Sequence, residues 1–314
     1  MTYPTIVLPL VPGFSLSVCA SGLYAYWHSN ISCKLVMFGY FRRIFSVDMF
    51  ANALKLFTKW KPDRLGSRGS DVIDPSRLSI DEKESFIDSL YQLHSKIFDG
   101  VERANFVSYV VDSPADLTRI RIYKNSLDEW VGYCAVHRFG KLIFDRPCVI
   151  FRAEAGILRE YRGRSLTLWF GFYEAIKYRI KHPFCALYYL GSFVHPSVLY
   201  MFSRYFSEYY PRADTPIPKL IKILMLEMAN IFHIEPVDEQ DVLVRQVGWI
   251  TKESAEDRSF WQKHEHPIVK FYIETNPGYV RGNGLLTLIP LTFKNIFMSL
   301  IRFMKNKLVR RISR

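Results

Sequence analysis

Residues 184–190 read Phe-Cys-Ala-Leu-Tyr-Tyr-Leu, an apolar run too short for a helix of ordinary length. Successive side chains of a strand point to opposite faces, so a strand apolar at every position must be covered on both. The chain therefore needs a sheet with a layer of helices on each side. Gly191 is expected to end this strand, and Pro196 fits the first turn of a helix running to about Phe206.

The flanking segments complete that architecture. Ser79-Ile80-Asp81-Glu82 has the form of a capping box, and Phe86, Ile87, Leu90, Leu93 and Ile97 follow at helical spacing. Strands are expected at Phe106–Val111, Thr118–Tyr123, Trp130–His137 and Leu142–Leu158, with turns at Asn125–Glu129 and Phe139-Gly140-Lys141. Leu168, Trp169, Phe172, Ile176 and Ile180 then mark a helix that closes at His182-Pro183. Helix, antiparallel strands, helix, strand, helix is the order of an α/β chain of mixed α+β type. Its sheet is mostly antiparallel, with helices on both faces. Beyond Pro211 a helix is expected over Ile217–Phe232, apolar on most sides and so buried, and strands over Val242–Val247 and Ile268–Glu274.

Composition and charge set the wider limits. With 314 residues, 49% of them hydrophobic and 16% aromatic, the chain is ordered and neither disordered nor collagen-like. Cys19, Cys33, Cys134, Cys148 and Cys185 contain no CxxC pair, so they read as small buried hydrophobes in a reducing compartment. The net charge of +12 is concentrated after Glu274, where eight Lys and Arg residues meet no acidic residue. Residues 6–27 are largely apolar but interrupted by Pro9, Pro12 and Gly13, which suits a packed or poorly ordered extension better than a membrane span. Short basic-flanked helices are expected within 34–62, and linker composition at 61–78 places a boundary there. The resulting layout is an extension over 1–75, a core over 76–210, a helix and strand extension over 211–289, and a basic amphipathic helix over 290–314.

Residues 153–167 read AEAGILREYRGRSLT: a strand ending at Leu158, a short basic loop, and a helix beginning near Ser165. The unpartnered amides and positive dipole end of such a helix favour phosphate, and Arg162 and Arg164 add charge-assisted donors. This stretch, with Glu160-Tyr161-Arg162-Gly163-Arg164 at its centre, resembles the coenzyme A loop of the GNAT acyltransferase family. The order of elements from Ser79 to Phe206 is similar to that family too. The resemblance implies an N-acyltransferase that takes an acyl group from acyl-CoA, acetyl-CoA by default, to an amine. It implies a donor site at Leu158, Arg159, Arg162, Gly163, Arg164, Ser165, Leu166 and Thr167. Arg159 stands where proline is common, and Ser165 and Thr167 occupy the two small-residue positions. An acyl-carrier-protein (acyl-ACP) thioester therefore stays open as donor, for a long-chain N-acyl amino acid or signal synthase, as does a non-catalytic scaffold associated with a membrane.

Amine acylation needs a base for the amine and a proton for the departing thiolate. Glu154, in a small, apolar stretch at the end of a strand, suits the base, or else it is a structural carboxylate paired with Arg152 or another cation. The resemblance implies that Tyr200 protonates the thiolate, with Tyr205 competing. His195 either orients the acceptor or caps its helix. His264-Glu265-His266 lacks a third ligand, so no metal is expected. In the tail, Phe293, Ile296, Phe297, Leu300, Ile301, Met304 and Leu308 recur at helical spacing among basic residues. That pattern fits either an anionic membrane surface or a helix docked on the domain, and no nucleic-acid groove is visible. The expected setting is cytoplasmic, peripheral to the inner membrane face.

Overall fold

The computed structural model describes residues 70–163 and 166–312. The expectations for residues 6–27 and 34–62 lie outside them. Helix α1 (Ile80–Ile97) starts as its sequence dictates: the Ser79 hydroxyl accepts from Glu82 N at 3.3 Å, and the Glu82 carboxylate accepts from Ser79 N at 2.9 Å. It buries Leu90, Leu93 and Ile97.

The described residues contain the strands β1 (Ser70–Ile73), β2 (Phe98–Asp99), β3 (Leu117–Lys124), β4 (Trp130–Ile143), β5 (Arg146–Ile157), β6 (Ala186–Phe193), β7 (Val244–Gln246), β8 (Ile250–Thr251) and β9 (Asn283–Pro290). Seven of them form one sheet in the order β1-β3-β4-β5-β6-β9-β7, antiparallel throughout except for the β5–β6 pair. The helices between and after them are α2 (Arg103–Phe106), α3 (Leu166–Lys181), α4 (Pro196–Tyr205), α5 (Lys219–Ile231), α6 (Ala255–Gln262), α7 (Pro267–Thr275) and α8 (Phe293–Ile312).

Both faces are covered, as the apolar strand requires. On one face α1 packs against Ile120, Ile122, Tyr133 and Ala135, and α5 packs Met225, Met228 and Ala229 against Ile150, Leu190, Leu286 and Leu288. On the other, Tyr123 Oη donates to Leu166 O of α3 at 3.0 Å, and Phe202 of α4 stacks on Tyr189. The mixed α/β class with a mostly antiparallel sheet is what the element order implied. The sheet extends past both limits drawn for the core, since β1 precedes residue 76 and β7 and β9 follow residue 210.

Several local expectations are corrected. Phe106–Val111 is helical, α2 continuing into a π turn over Val107–Val111. Ile268–Glu274 lies in α7, because the His266 side chain accepts from Ile268 N and Pro267 fits the first helical position. Phe139-Gly140-Lys141 is no turn: Gly140 N donates to the Asp116 carboxylate and β4 runs on to Ile143. The reversal sits at Phe144 and Asp145, both with positive φ. Gly191 does not end β6, which pairs through it with Thr287 of β9. Helix α5 is docked on one side, with Leu220 and Ile223 exposed.

The tail helix α8 is docked as well. Ile296, Ser299 and Leu300 are buried, the Phe303 ring lies 4.1 Å from that of Trp169, and Arg302 donates to Phe206 O. Of the apolar stripe, Ile296 and Leu300 are committed to the protein, whereas Ile301 and Met304 are exposed. No helix among the described residues is long and apolar enough to cross a membrane.

Beneath α1, His94 is 1% exposed, its Nδ1 2.8 Å from Tyr133 Oη and its ring among Tyr91, Phe98, Phe106 and Trp249. Burial pushes its pKa from 6.5 down to about 4. A histidine held neutral in the fold but free to charge when unfolded stabilises fully above pH 6.5, and that contribution is lost as pH falls towards 4. The urea midpoint is therefore expected to drop between pH 7 and pH 5, and His94→Phe to flatten that dependence. An equal slope in the variant would assign the acid sensitivity elsewhere.

Candidate functional site

The site follows from one feature of the sheet. The β5–β6 ladder joins Cys148–Phe151 to Ala186–Tyr189 and then stops, although β5 continues to Ile157 and β6 to Phe193. Beyond Phe151 and Tyr189 the two strands part, and a cavity of about 250 Å³ occupies the gap. Residues from both faces of the sheet line it. Strand alternation sorts its walls. On the α3–α4 side they are almost wholly apolar: Val136, Phe151, Ala153 and Ala155, with Leu168, Gly171 and Phe172 of α3 and Val198, Met201 and Phe202 of α4. On the α1–α5 side stand Arg152, Glu154, Ser192 and His233, with Phe98, Tyr109 and Trp249.

Glu154 thus lines the cavity. It pairs in register with Ala135 of β4 and shares that face with His137, whose Nε2 lies 2.8 Å from Glu154 Oε2. The two atoms are close but out of line for a hydrogen bond, and both lack another partner. His137 Nδ1 is in turn 3.0 Å from Thr118 Oγ1. The carboxylate thus has a histidine of the neighbouring strand beside it and makes no ion pair with Arg152. A single strand gives no sign of His137; the cross-strand register does.

The loop after β5 is arranged differently from expectation. Arg162 donates from Nε to Ile157 O at 3.1 Å and from Nη2 to Lys252 O at 3.2 Å, and burial lowers its pKa. Arg159 pairs with Asp257 and donates to Ser254 Oγ at 3.0 Å. Both cations are held by the segment 252–257, so Arg162 secures the loop to the domain. Gly163 has φ +87°, in the left-handed region where glycine is favoured, and the space beside it is open. Leu158 packs on the α1 core, Leu166 is buried, and Thr167 lines the cavity. Arg164 and Ser165 lie outside the described residues. Replacing Arg162 by Ala leaves two carbonyls without donors, at a cost of about 1–3 kcal/mol. Urea denaturation is expected to show that loss; an unchanged midpoint would instead return Arg162 to the ligand.

Tyr200 is not in the cavity. Its ring packs on His266 at 4.9 Å and His264 at 5.4 Å, with Arg204 over it, while Val198 and Met201 of the same helix face the gap. Tyr205 is buried against Trp169. The cavity's tyrosine at the parting of the strands is Tyr189, whose pKa burial raises. His195 caps α4: Nδ1 accepts from Ser197 N, which leaves the proton on Nε2, 3.2 Å from the Glu253 carboxylate. Burial alone would raise the Glu253 pKa, but His195 and Arg258 hold it low. Among the described residues no group of three His, Cys, Asp or Glu could hold a metal ion.

No family model matches the chain, and no curated protein matches it. Among solved structures it is similar to Arabidopsis thaliana NAA60 in complex with acetyl-CoA. That similarity has 15% identity over 43% of this chain and 84% of that one, with a TM-score of 0.32. It is also similar to a tetramutant of the BH1408 protein from Bacillus halodurans, at 11% identity over 37% of this chain and 80% of that one, with a TM-score of 0.25. At such TM-scores neither similarity carries an argument about function, which rests on the geometry above.

Proposed function

We propose that the chain is an N-acyltransferase that moves an acyl group from a coenzyme A thioester to an amine. The observation that carries this reading is the parting of β5 and β6 around a cavity that is lined from both faces and includes Glu154. The freed edges of the two strands offer amides and carbonyls to an extended pantetheine arm. The apolar α3–α4 side suits the donor and the polar α1–α5 side the acceptor, so the reacting carbonyl sits between them.

In this reading the amine nitrogen attacks the thioester carbonyl carbon. The C–N bond forms, the C–S bond breaks, the amine proton passes to Glu154, and the thiolate takes a proton from Tyr189. A phenol kept protonated by burial can supply that proton. With Arg159 and Arg162 engaged by the protein, the donor's phosphates are assigned to Gly163, to the start of α3 at Leu166 and Thr167 and, by sequence alone, to Arg164. The 76–210 segment carries the chemistry, and β7 and β9 complete its sheet. Thiol release from acetyl-CoA in the presence of mixed amines is the test. Release that depends on the amine is expected; none with any amine or acyl chain would end the assignment.

A further inference from the structure

Arg152 and Glu154 are alternate residues of β5, so both face the α1–α5 compartment, about 7 Å apart along the strand. The Arg152 guanidinium lies over the Phe232 ring at 4.9 Å. Its Nε is buried without a hydrogen-bond partner, and no carboxylate among the described residues comes within 4.0 Å of the group. Arg159 and Arg162, by contrast, are each matched by protein acceptors.

The group is half-buried, and a cation partly withdrawn from water with no anionic partner favours an anion from solution. Stacking on Phe232 fixes the plane of the guanidinium and leaves its fork free for a carboxylate. Ser192 Oγ, on the face of β6 that looks into the same compartment, is likewise buried and unpartnered. The compartment therefore offers a base and an anion-binding fork on alternate positions of one strand. A small molecule that carries both an amine and a carboxylate can engage the two together.

We propose that the acceptor is an α-amino acid, bound with its amine at Glu154 and its carboxylate at Arg152. This rests on the acyltransferase reading and adds the substrate class to it. The product is then an N-acyl amino acid, which keeps the carboxylate by which its precursor was selected.

The test offers the full-length protein acetyl-CoA with each amino acid and with the matching decarboxylated amine, and reads thiol release and product mass. The amino acids are expected to exceed their decarboxylated partners by about 10²-fold or more in kcat/KM. That ratio is expected to collapse towards unity in Arg152→Met and to recover in part in Arg152→Lys, which keeps the charge but not the fork. Equal use of amino acid and amine by the wild type overturns the proposal while thiol release still upholds acyl transfer. A ratio unchanged in both variants overturns it too. Failure of every amine to release thiol removes the transfer reading and this one with it.

Discussion

Glu154→Gln is expected to lower kcat/KM for amine acylation by about 10²–10⁴-fold, the usual range for losing a general base. That corresponds to roughly 3–5 kcal/mol of transition-state stabilisation. The substitution keeps the shape of the side chain beside His137 and takes away its capacity to accept the amine proton. Stability should hardly change, because an amide fills the same space and can still meet the imidazole. The check is steady-state kinetics at saturating donor, with a melting curve alongside. Activity within a few-fold of wild type would make Glu154 a structural partner of His137 and leave the cavity without its base.

The largest effect on stability is expected at Asn295. Its side chain is 1% exposed; Oδ1 accepts from Ser207 N, Ser207 Oγ and Glu208 N, and Nδ2 donates to Glu208 O and Pro290 O. Asn295→Ala strands several of these groups at once, and unmet buried groups cost about 1–3 kcal/mol each. Allowing for water reaching some of them, we expect a loss of about 3–5 kcal/mol by urea denaturation, at the severe end for one substitution. Asn295→Asp keeps the acceptor but turns a buried carboxylate oxygen towards the Glu208 and Pro290 carbonyls, so it should cost at least as much. A loss under 1 kcal/mol would mean that α8 is not needed to hold the 207–208 loop. Truncation at 289 would remove this docked helix together with its hold on the 207–208 loop.

Where a sequence signal is local and its partners are nearby, it was legible. Ser79 and Glu82 cap α1 three residues apart, and the apolar 184–190 run required the two-sided sheet that surrounds β6. Residues 268–274, rich in branched and aromatic side chains, suggested a strand, and the histidine cap two residues upstream of Ile268 outweighed that propensity. Gly140 and Gly191 suggested breaks, but the Asp116 carboxylate and the β9 edge hold them in strands, and both partners are remote in sequence. The site shows the same division. Glu154 could be selected from its own strand, whereas His137 follows only from the β4–β5 register and the capture of Arg162 only from contact with residue 252. Tyr200 was selected by resemblance alone; one helical position decides whether a side chain faces the gap or the His264–His266 surface.

The strand order carries a consequence for biosynthesis. Strand β6 has its long outer edge satisfied by β9, which leaves the ribosome roughly 90 residues later, a delay of about 5–20 s at ordinary elongation rates. During that interval a strand rich in Leu, Tyr and Phe has an unpaired margin able to recruit any other extended segment. The nascent chain is thus most exposed to aggregation between the emergence of Phe193 and that of Pro290. Slower translation across that stretch, or depletion of chaperones that hold open strands, should lower the soluble yield of this protein more than that of a sheet assembled in sequence order.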